Sequence, residues 1–155
     1  TTIFDYWSVD TIRRWRNGGK FDGKMLTEDQ KHIYSVYQRI LTLCNKEKAI
    51  TEGEFFDLMY ANTNGWRFNE HKQYTFLRKA GKELLFIIVN FDHISVDVAI
   101  NVPSHAFDFL QIPQMDIYPA VDLLTGKTES ISLLPYKATE ISVEGYSGKI
   151  LKIKL

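Results

Sequence analysis

Residues Leu84 to Phe91 form a nearly unbroken apolar run rich in β-branched side chains, and no other stretch limits the fold as tightly. The run is too short to cross a bilayer and too uniformly apolar for a strand with one wet face. It reads as a strand buried on both faces. Asn90-Phe91-Asp92-His93 follows with turn chemistry, since Asn and Asp side chains bond their own backbone. Beyond it Val96, Val98 and Ile100 alternate with Ser95, Asp97 and Ala99, the period of a half-buried strand. The stretch from Glu83 to Val102 is therefore expected to be a hairpin with one central arm and one arm nearer an edge.

A doubly buried strand needs partners, and the residues after Gly53 supply them. Further strands are predicted over 54–60, 73–79, 116–123, 128–134, 138–143 and 149–155, beside 83–91 and 95–101. Short strands at fairly even spacing argue for a sandwich or barrel. In the last strand Leu151, Ile153 and Leu155 point inward, and Lys152 and Lys154 suit an exposed edge. Two segments break the rhythm: a polar loop over 61–71 carrying Trp66, and 103–114 with a helical turn around Phe107-Asp108-Phe109.

The first 48 residues read as helical. A short piece capped by Ser8 or Asp10 carries Ile12 and Trp15 on one face and Arg13, Arg14 and Arg16 on the other, and Asn17-Gly18-Gly19 stops it. The arginines read as a solvated face, because Gly18-Gly19-Lys20 lacks the spacing of a phosphate loop. Residues 27–46 form the clearest helix. Thr27-Glu28-Asp29-Gln30 fits a capping box, and Ile33, Val36, Tyr37, Ile40, Leu41 and Cys44 make one apolar stripe. One stripe implies one buried face, with Cys44 as a small buried hydrophobe. As the only cysteine, Cys44 also excludes an internal disulfide and leaves the compartment open.

The chain has 19 basic and 19 acidic residues, so no long-range field draws it to nucleic acid or an anionic membrane. It opens at Thr1-Thr2-Ile3 without a methionine, as a cut piece of a longer protein would. His32, His71, His93 and His105 show no paired metal-ligand spacing, and no G-x-S-x-G elbow is present. Asp92 beside His93 fits the turn better than acid–base work. On the residues alone the chain reads as a binding or structural module with no active site, no cofactor and no metal.

Several stretches, in order, resemble the C-terminal end of glycoside hydrolase family 13, the α-amylase family. Thr2-Ile3-Phe4-Asp5-Tyr6-Trp7 resembles the segment after the eighth barrel strand, and Gln38-Arg39-Ile40-Leu41-Thr42-Leu43 the last barrel helix. Ile50-Thr51-Glu52-Gly53-Glu54-Phe55 resembles the opening of the C-terminal domain. Tyr74-Thr75-Phe76-Leu77-Arg78 with Leu85-Phe86-Ile87-Ile88-Val89-Asn90-Phe91 resembles a strand pair of that domain. Asp122-Leu123-Leu124-Thr125-Gly126 and Leu133-Leu134-Pro135-Tyr136 resemble its later turns. The likeness is closest to amylase-like proteins of Bacteroides-type bacteria.

The resemblance implies a mainly β fold: an antiparallel Greek-key β-sandwich of about eight strands over residues 49–155, preceded by a helical segment over 1–48. That segment would be the tail of an upstream (β/α)8 catalytic barrel. The family's retaining mechanism uses carboxylates on barrel strands far upstream. Those motifs are absent, so no catalytic residue carries over. The resemblance implies a non-catalytic domain that stabilises the barrel of an enzyme acting on starch or maltodextrins. The partners implied are that barrel and an α-glucan. Two other readings stand beside it: an accessory carbohydrate-binding module, with Trp66, Tyr60 and Tyr74 as a stacking platform, and an unrelated protein-interaction sandwich.

Overall fold

The computed structural model describes residues 8–155, so the Thr2–Trp7 motif lies outside the described residues. The chain divides into two compact units, one ending at Thr42 and one running from Leu43 to Leu155.

In the first unit α1 spans Asp10–Arg16. Its N-cap is Val9, which makes no side-chain cap bond; Asp10 instead pairs with Arg14 at 2.6 Å. The helix ends where Asn17 turns left-handed at φ 43°, a conformation Asn tolerates. Trp15 then packs edge-on against Phe21, centroids 4.9 Å apart. The predicted capping box is present. The Thr27 amide donates to Gln30 Oε1 (3.0 Å) and the Gln30 amide to Thr27 Oγ1 (3.3 Å), opening α2 over Glu28–Lys46. The expected burial of the α2 stripe does not occur. Ile33, Val36, Tyr37, Ile40 and Leu41 are all exposed, and Cys44 is only half-buried.

The second unit is mainly β. After α3 (Lys48–Thr51) come β1 (Glu54–Asp57), β2 (Gln73–Ala80), β3 (Glu83–Asn90), β4 (Val96–Ile100), α4 (Ser104–Leu110), β5 (Met115–Asp122), β6 (Thr128–Leu133), β7 (Thr139–Val143) and β8 (Ser147–Lys154). All eight predicted strands are present. Six form one antiparallel sheet in the order β1-β2-β3-β8-β5-β6, and β4 pairs with β7 in a second. The inward rows of both sheets share one core. Leu84, Phe86 and Ile88 of β3 meet Val98 and Ile100 of β4 and Ile141 of β7 there, and Phe107 and Leu110 of α4 join them.

β3 is buried on both faces, as its sequence predicts. Its alternate residues Leu85 and Ile87 enter a second cluster with Ala49 of α3, on the outward face of the six-stranded sheet.

Two expectations are corrected. Glu83–Val102 is not a hairpin: β3 pairs with β2 and β8, and β4 pairs only with β7 in the other sheet. The cause is buried Asn90. Its amide nitrogen donates to Ile94 O (2.8 Å) and Glu144 O (3.1 Å), and its oxygen accepts from the Asp92 amide (3.1 Å). These bonds turn the chain out of one sheet and tie it to the loop between β7 and β8. Nor is β8 an edge strand; it lies between β3 and β5. Its lysines point outward as expected, but Lys152 is there to neutralise buried acid.

Candidate functional site

The best-built polar feature of the second unit fastens α3 to the outward face of the six-stranded sheet. Lys152 of β8 bonds Glu47, just before α3, and lies 2.8 Å from Glu83 of β3. Glu83 also accepts the Ala49 amide at 2.8 Å. Arg78 of β2 donates to Ala49 O and Gly53 O, both at 2.7 Å. Glu47 is 4% exposed and is paired with Lys152, the kind of partner a buried carboxylate requires. Burial works to raise the Glu83 carboxyl, but the bonds from Lys152 and the Ala49 amide outweigh it and hold it below the usual glutamate range. Burial likewise works against the charge on Lys152, and its two carboxylate partners hold it above the usual lysine range. Gly53 explains the glycine of the Ile50–Phe55 stretch. A Cβ there would stand 2.2 Å from Ala49 O, closer than any side chain can approach.

Around α3 the same sheet face is apolar and partly open. Register places Phe55 opposite Arg78, Phe76 opposite Ile87, Ile87 opposite Ile150, and Tyr74 opposite Val89. On β5, Ile117, Pro119 and Val121 are exposed, with Val121 opposite Lys152 on this face.

Trp66, Tyr60 and Tyr74 fall in three separate settings. Tyr74 sits on the outward sheet face beside Phe76, centroids 5.7 Å apart. Tyr60 follows β1 and meets Phe56 and His105; its hydroxyl lies 2.5 Å from His105 Nε2. Trp66, 68% exposed, stands on the loop between β1 and β2 with the Arg67 guanidinium carbon 5.1 Å from its ring centroid. Sequence reading missed Arg67 and His105, because the hydrogen-bond partners of each lie 30 or more residues away.

A cleft of about 480 Å³ is lined by residues of both sheets, in part by Asp97, Asp122, Glu129, Glu144 and Lys149. Three of its carboxylates have structural partners. Buried Asp122 accepts from the Leu124 amide (3.1 Å) and the Thr125 hydroxyl (2.6 Å), which closes the turn between β5 and β6. Glu129 pairs with Lys149 at 2.8 Å, and Asp97 bonds Ser142 and faces Arg67. Displaced carboxyls elsewhere move downward, Asp92 chiefly through the Lys72 hydrogen bond and Asp116 chiefly through that of Lys137. That is the direction a carboxylate takes when it accepts from a cation.

No family model and no curated protein matches the sequence. Solved structures do match. The noncanonic maltogenic alpha-amylase AmyB from Thermotoga neapolitana aligns over 85% of this chain and 27% of its own, with TM-score 0.62 and 15% identity. AmyP in complex with maltose aligns over 86% and 23%, with TM-score 0.58 and 22% identity. The acarbose-complexed alpha-amylase from Geobacillus thermoleovorans aligns over 86% and 26%, with TM-score 0.57 and 12% identity. The chain has the fold of part of an α-amylase. It spans about a quarter of the length of those proteins.

Proposed function

We propose that this chain is the C-terminal, non-catalytic part of an α-amylase-family enzyme acting on α-glucans, and that it stabilises the enzyme's catalytic barrel. The observation that carries the reading is the apolar surface that the described residues expose. On the first unit, Trp15, Leu26, Ile33, Tyr34 and Tyr37 line an open apolar groove of about 310 Å³, and Val36 and Ile40 of the same helix are exposed as well. On the second, the outward sheet face exposes Phe55, Tyr74 and Val121 beside the segment fastened by Lys152 and Arg78. Contiguous apolar surface of this kind marks a contact in soluble proteins. The match to about a quarter of each α-amylase chain supports a larger protein as the source of that contact.

Thermal unfolding of the full-length gene product tests the proposal. Replacing Tyr37 and Ile40 together by Glu should lower the melting temperature of the whole enzyme and leave that of residues 1–155 unchanged. Equal melting of the full-length variant and its parent would overturn the proposal.

A further inference from the structure

We propose that Trp66 is a stacking platform for an α-glucan, held by Arg67 on a face of the domain that the contact above does not use. The ligand class rests on the α-glucan reading; the site rests on its own geometry.

The loop that carries Trp66 is fixed by bonds on both sides. Asn62 is fully buried; it donates to Leu58 O (2.8 Å) and Asn101 O (3.0 Å) and accepts the Asn101 amide (2.8 Å). The Ala99 amide donates to Arg67 O at 3.4 Å, so the loop runs along the free edge of β4. Arg67 itself is left-handed at φ 57°, an uncommon conformation for a residue with a Cβ. Its side chain donates to Asp97 O (2.9 Å) and to the Glu140 carboxylate (3.3 Å), with Asp97 Oδ2 at 3.5 Å. A tryptophan is thus presented open to solvent by a loop that is itself immobilised.

The side of the domain separates this site from the sheet face described above. Val98 and Ile141 pair across β4 and β7 and are buried in the core, so their neighbours Asp97 and Glu140 point away from it. Arg67 therefore lies on the outer side of the β4–β7 sheet. The segment fastened by Lys152 lies on the outer side of the other sheet, across the core.

The chemistry selects a sugar. The C–H face of a pyranose is flat and weakly positive, and it complements the negative face of an indole. Its hydroxyls take planar donors and acceptors well, and Arg67, 5.1 Å from the ring centroid, with its partners Asp97 and Glu140 carries both kinds. A phosphate-bearing partner is disfavoured, because the guanidinium is already met by two carboxylates. Tyr60 and Tyr74 lie in other settings, so one ring does the stacking and millimolar affinity is expected.

The test is an NMR titration of the whole 155-residue chain with maltoheptaose, following the Trp66 indole N–H, to about 10 mM, tenfold above a millimolar Kd. A saturable shift is expected. By calorimetry Trp66→Ala should weaken binding at least about tenfold, and Trp66→Tyr, which keeps a stacking ring, no more than about threefold. Both should melt with the parent, since the side chain is exposed. An unmoved indole, or unchanged affinity in Trp66→Ala, overturns the platform. So does a Trp66 already shielded from acrylamide quenching in the full-length protein without glucan, which would make it a protein contact. A flat titration with the full-length melting effect intact removes the platform alone; binding without that effect removes the scaffold reading alone.

Discussion

Replacing Lys152 with methionine isolates the contribution of the charges that fasten α3 to the sheet. Methionine keeps an unbranched apolar stem of similar length, so packing changes little while the charge disappears. Glu47 is then left nearly closed off from water with no cation. Removing one partner of a fully buried pair costs roughly 3–5 kcal/mol, and an exposed pair is worth about 0.2–1 kcal/mol. Lys152 keeps 35% of its side chain open, so the expected loss is between those limits, about 2 kcal/mol. That corresponds to a melting shift of roughly 6–10 °C for a unit of this size. The pH dependence follows from the two displaced groups. Glu83 is held below its ordinary pKa, so its contribution is complete above that value and is lost as pH falls through the folded one. Lys152 is held above its ordinary pKa, so its contribution is complete below that value and is lost as pH rises through the folded one. The stability gap between parent and variant should be widest from mildly acid to mildly alkaline pH and close at both extremes. Urea unfolding across that range measures it, and adding Glu47→Gln should restore part of the loss. A gap below about 0.5 kcal/mol at neutral pH, or one of equal size at pH near 3, would refute the reasoning.

Three further outcomes are expected. Gly145→Ala would place a Cβ 2.1 Å from His93 O, against backbone that cannot yield, and should cost about 2–4 kcal/mol by urea unfolding. Asn90→Ala strands the Ile94 and Glu144 carbonyls and the Gln73 side-chain amide, and should cost a similar amount, roughly 2–4 kcal/mol, by the same measurement. Thr27→Ala removes half of the capping box and should lower helical circular dichroism with a loss of about 1 kcal/mol from α2.

Local chemistry was legible in the sequence where one segment decides it. β3 carries apolar residues on both of its faces, so its double burial follows from Leu84–Val89 alone. Thr27 and Gln30 sit one turn apart, and the capping box follows from their identities. Pairing was not legible, because distant residues decide it. Asn90 reads locally as a turn residue; that it bonds Glu144 and sends the chain to the other sheet depends on a loop 54 residues later. Lys152 reads as an edge lysine until Glu47, 105 residues earlier, is found against it. The α2 stripe follows from helical spacing, but its exposure does not. Trp66 was readable as a candidate platform by type; Arg67, which fixes its setting, became visible only with Asp97 and Glu140 beside it.

Hydrogen exchange of α2 and of β5, compared between the full-length gene product and residues 1–155 alone, tests the central claim most directly. The account predicts slower exchange through Ile33–Leu41 and Ile117–Val121 in the full-length protein, where an upstream domain covers the apolar surface those segments expose. Identical exchange in the two forms would contradict it.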